Sequence, residues 1–249
     1  MSAAAKTRLD QLLVERGLAE SRAKAQALVM AGLVYAGTRR LEKPGHKVAA
    51  DTPLEVRGRD HPWVSRGGLK LDHGLTRFGI EAAGRTCLDI GASTGGFTDV
   101  LLSRGAARVY AVDVGSGQLA WKLRQDHRVV VLEKTNARHL TAAEIPRPVD
   151  LITCDASFIG LQVVLPAALA LAAPGAHLVA LIKPQFEVGK DSVGKGGVVR
   201  DPDLHAEVCT RIEDWLAAQT GWTVLGITES PITGPEGNVE FLIGGAYLG

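Results

Sequence analysis

Apolar and polar positions follow two different patterns along this chain of 249 residues. Up to residue 58 the apolar runs are short and broken by turn residues. Thr7 is placed to cap a first helix that carries Leu9, Leu12 and Leu13 on one face and ends at Gly17. Ser21 is placed to cap a second, Arg22 to Ala31, closed by Gly32, with Ala23, Ala27, Leu28 and Met30 among its apolar positions. Short strands are predicted around Leu33–Tyr35, Lys47–Ala49 and Leu54–Val56, separated by Gly37, Pro44-Gly45 and Asp51-Thr52-Pro53. These elements make a small α+β domain over residues 1–58. The polar residues from Gly58 to Pro62 read as a linker, which extends over 59–66.

From residue 67 to 249 apolar strands alternate with helical segments. Strands are predicted at Thr86–Ile90, Arg108–Asp113, Val129–Leu132, Val149–Asp155 and Leu178–Ile182. This alternation predicts an α/β fold with a doubly wound, Rossmann-like sheet. A helix over Asp203–Ala218 follows, then two strands close in sequence, Thr223–Ser230 and Val239–Ala246. The longest nearly uncharged run, Leu161 to Ile182, is long enough to span a bilayer. Pro166, Pro174, Gly175 and His177 interrupt it, so it reads as a buried helix followed by a central strand, and no membrane partner is expected.

Composition adds a division of charge. Residues 1–70 carry 13 Lys and Arg against 7 Asp and Glu, a net +6, while residues 71–249 carry 15 against 20, a net −5. A basic small domain ahead of a mildly acidic large one points to a polyanionic partner for the first. Arg8, Arg22, Lys24, Arg39, Arg40, Lys43 and Arg66 are the candidates to meet it. Arg22 and Lys24 stand in the first turn of a helix, where a positive charge opposes the dipole, which favours a role outside the helix. Cys87, Cys154 and Cys209 form neither a metal pattern nor a disulfide framework, which fits a reducing cytoplasm. No apolar leader segment is visible at the N-terminus.

The candidate chemistry lies at strand ends. Leu88-Asp89-Ile90-Gly91-Ala92-Ser93-Thr94-Gly95-Gly96-Phe97-Thr98 reads as a strand, a glycine-rich turn and a helix start. An acidic residue two places before the first glycine is the arrangement used by S-adenosylmethionine (SAM) enzymes. A dinucleotide fingerprint would need glycine where Ser93 stands. Gly91-Ala92-Ser93-Thr94-Gly95 also fits the G-x-S-x-G nucleophile elbow, but His127, His139, His177 and His205 all precede the last strands, where the base would be expected. A plain strand–helix turn is the remaining reading. On the SAM reading Asp89, Gly91, Ser93, Gly95, Gly96 and Phe97 form the cradle. Asp113, at the end of the second strand, would take the ribose diol, and Asn136 the adenine amine.

Asp155 ends the fourth strand and Lys183 the fifth, where ligands of open α/β sheets bind. A lysine at the mouth of a central strand needs a partner. Lys70 follows Ser65-Arg66-Gly67-Gly68-Leu69, and Glu240 interrupts an otherwise apolar last strand. Gly189-Lys190-Asp191-Ser192-Val193-Gly194-Lys195-Gly196 nearly matches a phosphate-binding loop but lacks the Ser/Thr and the strand before it. Val188–Val199 reads as a mobile lid.

The set Lys70, Asp155, Lys183 and Glu240 resembles the Lys-Asp-Lys-Glu tetrad of FtsJ/RrmJ-type ribose 2′-O-methyltransferases. Arg8-Leu9-Asp10, Ser21-Arg22-Ala23-Lys24-Ala25 and Gly32-Leu33-Val34 resemble the alpha-L RNA-binding module of small-subunit ribosomal protein four. Together they resemble the TlyA (hemolysin A-like) family of ribosomal RNA methyltransferases. Trp63-Val64-Ser65-Arg66-Gly67, Lys183-Pro184-Gln185-Phe186-Glu187 and Gly237-Asn238-Val239-Glu240 support the likeness. It implies SAM as cofactor, no metal, and 2′-O-methylation of a ribose, a cytidine, in ribosomal RNA. Lys183 would be the general base, Asp155 would hold both amines, and Glu240 would orient Lys70 or the hydroxyl. The short tail after Tyr247 resembles family members that act on the large subunit, and no stable protein partner is implied. A non-catalytic ribosome assembly factor and a membrane-active hemolysin are the other function classes.

Overall fold

The computed structural model describes residues 6–19, 21–56, 61–189, 193–194 and 196–249. It divides into two compact units, Met1–Pro62 and Trp63–Gly249. Trp63 to Arg66, read from the sequence as linker, belong to the second unit.

The first unit contains β1 (Lys6–Arg8), α1 (Leu9–Glu15), α2 (Arg22–Met30), β2 (Val34–Ala36), β3 (Arg39–Arg40), β4 (Lys47–Ala49) and β5 (Leu54–Val56). β1 pairs with β4, and β2 lies between β3 and β5, all antiparallel. Thr7 is therefore not a helix cap: it faces Val48 across the β1–β4 ladder, and Arg8 precedes the helix. Ser21 does cap α2, accepting from the Lys24 amide at 3.2 Å. The buried face of α2 is Ala25 and Val29, four residues apart, whereas Ala23, Ala27 and Met30 face solvent. The core is Leu9, Leu12, Leu13, Ala25, Val29, Val34, Leu41 and Val48, with Leu28 packed at its edge.

Asp10 is fully buried inside this unit. Its carboxylate accepts from Arg8 Nε and Nη2, Arg22 Nε, Gln26 Nε2 and the Gln11 amide, all at 2.9–3.0 Å. The Arg8 guanidinium holds the Asp10 carboxyl well below the usual carboxylate range, against burial, with Gln26 and Arg22 adding to it.

The second unit opens with α3 (Gly67–Phe78) and continues through β6 (Thr86–Ile90), α4 (Gly96–Ser103), β7 (Arg108–Val112), α5 (Trp121–Arg124), β8 (Val129–Leu132) and β9 (Val149–Cys154). It then runs through α6 (Leu161–Val164), α7 (Pro166–Leu169), β10 (Ala172–Ile182), α8 (Pro184–Glu187), α9 (Pro202–Ala217), β11 (Trp222–Glu229) and β12 (Phe241–Tyr247). The seven strands lie in the order β11-β12-β10-β9-β6-β7-β8. β10, β9, β6, β7 and β8 are parallel, and β12 is antiparallel to both its neighbours. Strand order reverses between β6 and β9, so a crevice opens at their carboxyl ends. Alternate residues feed two cores: Leu88, Ile90 and Ile152 on one face of the sheet, Cys87, Val109 and Leu151 on the other.

The run from Leu161 to Ile182 departs from the expected helix and strand. Pro166 lacks an amide hydrogen and starts a new turn, so two one-turn helices replace one long one. β10 then begins at Ala172, earlier than its apolar stretch, and its pairing with β9 shifts register between Ala172 and His177. Among the described residues no helix is long and apolar enough to cross a membrane.

Asp10→Asn is expected to lower the thermal midpoint of the first unit, read in the full chain by circular dichroism. The wild-type advantage should be full above the ordinary carboxylate range and shrink as pH falls through and below it, because the folded state holds Asp10 ionised longer. An advantage that does not change with pH would contradict this role.

Candidate active site

The glycine turn is built by close backbone approach. Gly91 has φ +79°, and a Cβ there would lie 2.9 Å from the Asp155 carbonyl oxygen and the Ala156 nitrogen. The Gly91 and Ala92 amides both donate to the Val112 carbonyl, at 2.9 and 3.1 Å. Gly95, at φ +97°, precedes α4 at its N-cap, and a Cβ there would collide with Leu119 and Leu123. Gly96 is closed over by the Ser65 hydroxyl.

Ser93 adopts φ +48°. Its amide donates to Asp113 Oδ2 at 2.8 Å and its hydroxyl to Gln118 Oε1 at 3.1 Å. Asp113 Oδ1 accepts from the Gly115 amide at 2.7 Å. A cavity opens here, lined by Ser93, Asp113, Gln118, Leu119, Val131 and Glu133 among others. Of these, the sequence singled out Ser93 and Asp113. Gln118 and Glu133 carried no signal, being ordinary polar residues in loops. Phe97 is buried in the core, and Asn136 caps a 3-10 turn, accepting from the Arg138 amide at 3.1 Å. The chemistry of the cradle suits a nucleoside-bearing cofactor: carboxylates at the ends of β7 and β8, apolar walls, and Gly115 in the lining.

Asp89 lies beneath the turn with no exposed surface. It accepts from Thr98 Oγ1 at 2.6 Å and Thr153 Oγ1 at 3.2 Å, tying α4 to β9. Burial pushes its carboxyl up to about 7, only partly offset by these hydroxyls.

Beside the cradle stand two ion pairs. Lys183 Nζ lies 2.6 Å from Asp155 Oδ1, with the Asp155 carbonyl at 3.2 Å and Ser157 Oγ at 3.0 Å. Lys70 Nζ lies 2.5 Å from Glu240 Oε2. Ile182 pairs with Phe241 across β10 and β12, so Lys183 and Glu240 are the next positions along that ladder. Gly67, the first residue of α3, brings its backbone to Asp155: a Cβ there would lie 3.8 Å from Oδ2. All four charged groups therefore belong to one site, but Asp155 does not hold both amines. Each ammonium has its own carboxylate, because Lys70 arrives on α3 and Lys183 on β10. Glu240 precedes β12 instead of lying within it, its carbonyl accepting from the Ser230 amide at 2.9 Å. Among the described residues its buried Oε1 has no partner, and Gly234 leaves room for it.

Asn238 was also not legible as a site residue. Its side chain accepts from the Val199 amide at 3.2 Å and donates to the Gly197 carbonyl at 3.1 Å, anchoring the end of the loop expected to form a lid. Lys190–Ser192 and Lys195 of that loop lie outside the described residues.

Of the candidate cations for a polyanion, Lys24, Arg39, Lys43 and Arg66 are exposed. Arg40 pairs with Glu42 at 2.6 Å. Arg8 and Arg22 grip Asp10 while keeping 39% and 51% of their side chains exposed. Sequence reading noted the charges and missed the buried acid that orients two of them.

Residues 63–247 match the FtsJ-like methyltransferase family, and residues 7–52 match the S4 domain. The chain belongs to the FtsJ-like methyltransferase family, with an S4 domain ahead of the enzyme domain. It is 52% identical over 241 residues to the 16S/23S rRNA (cytidine-2'-O)-methyltransferase TlyA of Mycobacterium tuberculosis, covering 96% of this chain and 90% of that one. It is 40% identical to Hemolysin A of Brachyspira hyodysenteriae, over 94% of this chain and 98% of that one. A solved Streptococcus thermophilus structure that bears a hemolysin name shares 43% identity at a TM-score of 0.77, covering 98% of this chain and 90% of that one.

Asp89→Asn should remove a titration from the folded state. A carboxyl raised to about 7 keeps its proton when the unfolded chain has lost it, so wild-type stability falls as pH rises from about 4 to about 7. The stability of Asp89→Asn relative to wild type, from urea unfolding, should climb by about 1.4 kcal/mol per pH unit across that window and then level. A difference that is flat across the window would show that Asp89 is not held protonated.

Proposed function

We propose that this protein methylates the 2′-hydroxyl of a cytidine in ribosomal RNA, using SAM. The observation that carries this reading is the placing of two ammonium–carboxylate pairs, both with buried lysines, beside the glycine cradle at the carboxyl ends of β6, β9 and β10. The name of the M. tuberculosis relative supports the substrate. In this reading Asp113 and the cavity walls hold the nucleoside part of the cofactor, and the turn at Gly91–Gly96 approaches the rest. The bound cofactor supplies an electrophilic methyl group on a sulfonium.

A ribose hydroxyl is a weak nucleophile and needs a base within hydrogen-bond reach. Lys183 is that base. Asp155 holds its amine in position, and the buried Lys70–Glu240 pair fixes the neighbouring wall. Much of the acceleration comes from positioning. The S4 domain binds RNA through its exposed cations by phosphate contacts and shape.

Lys183→Ala is expected to lower methyl transfer by about 10²–10⁴-fold, the range of general-base catalysis. SAM affinity by calorimetry should stay close to wild type. Full transfer by this variant, read by mapping 2′-O-methyl groups on ribosomal RNA, would overturn the assignment. RNA affinity should fall linearly on a log–log plot against salt, and Arg39→Ala with Lys43→Ala should flatten that slope. A slope unchanged by the double substitution would place the RNA surface elsewhere.

A further inference from the structure

Lys183 Nζ has three oxygens within hydrogen-bond distance: Asp155 Oδ1 at 2.6 Å, the Asp155 carbonyl at 3.2 Å and Ser157 Oγ at 3.0 Å. Two of the ammonium's three hydrogens go to the carbonyl and the serine hydroxyl, and the carboxylate beside them balances its charge. A base must be a neutral amine, with two hydrogens and a lone pair. The carboxylate and the carbonyl can only accept, so they keep the two hydrogens. Ser157 alone can turn its O–H around and donate. The lone pair of the base therefore forms on the Ser157 side.

That side also faces outward. The Lys183 and Asp155 side chains are 7% and 22% exposed, whereas Ser157 is open to solvent. Of the residues that supply oxygens to Nζ, Ser157 is the exposed one. The segment is held in place on both sides. The Asp155 amide donates to the Ile90 carbonyl at 2.9 Å, and the Phe158 ring stands 5.0 Å from that of Phe186. The Phe186 ring in turn lies 6.0 Å from Nζ.

We propose that Ser157 relays the ribose proton to Lys183, an inference that rests on the reading of Lys183 as the base. The ribose O–H bond breaks as its oxygen bonds the methyl carbon of a sulfonium donor, which departs as a neutral thioether. The ribose proton passes to Ser157 Oγ while the serine's own hydrogen passes to Nζ. The serine ends unchanged and the lysine ends as an ammonium, so the positive charge lost by the donor reappears on Lys183.

Ser157→Thr keeps the hydroxyl, whereas Ser157→Val is the isostere of threonine with a methyl in place of that hydroxyl. Single-turnover methyl transfer to ribosomal RNA should stay within about threefold of wild type in the threonine variant and fall by about 100-fold or more in the valine variant. SAM affinity by calorimetry and the KM for RNA should be unchanged in both. Equal losses in the two variants, or a wild-type rate in Ser157→Val, would overturn the relay. In wild type the single-turnover rate should bow downward against deuterium fraction, since two protons move together. A straight line there would also overturn it, without any substitution. Lys183→Ala separates the two ideas: an active Lys183→Ala defeats the base reading and the relay with it. An inactive Lys183→Ala beside an active Ser157→Val defeats the relay alone.

Discussion

Two ammonium groups sit almost out of reach of water in this protein, and the second unit is arranged so that neither is left without a counter-charge. Removing one partner of a buried ion pair costs about 3–5 kcal/mol, because the other charge stays behind unpaired. Lys70 on α3 and Glu240 before β12, and Asp155 after β9 with Lys183 after β10, must therefore arrive together. The antiparallel insertion of β12 beside β10 brings Glu240 level with Lys183. Four segments from across the unit are bound by one electrostatic requirement.

The cradle and the charged groups form one piece. Gly91 allows the β6 turn to touch the Asp155 backbone, and the Asp155 amide closes onto Ile90. Below them Asp89 joins α4 to β9 through Thr98 and Thr153. A shift of the glycine turn would displace the carboxylate that holds Lys183. Such coupling suits a reaction whose rate depends on the distance between two bound partners.

Much of this was legible in the sequence. β6 and β8 begin and end where their apolar runs do, and the four charged residues stood out because they interrupt or end apolar strands. What escaped was geometry between distant segments. The partner of each lysine depends on where α3 meets the sheet, which no local pattern records. Thr7 looked like a cap because its preference for helix starts is local, whereas the β1–β4 pairing that claims it is not. The apolar run after Gly160 promised a helix, and Pro166 broke it into two turns. Ser157, Gln118 and Asn238 gave no warning, since small polar residues in loops are common and only their partners distinguish them.

Lys70 and Glu240 stand 170 positions apart. During synthesis the first of these charges is made long before the second exists. Every intermediate length of chain holds the lysine without its carboxylate, and once β10 is made it waits with the edge that β12 will cover still bare. The pair completes only when β12, the last of the described strands, takes its place between β10 and β11, the kind of long-range closure that folds late. The pair is thus a checkpoint on synthesis: a fragment that stops short of residue 240 has the cradle's sequence but lacks the counter-charge that lets Lys70 be buried.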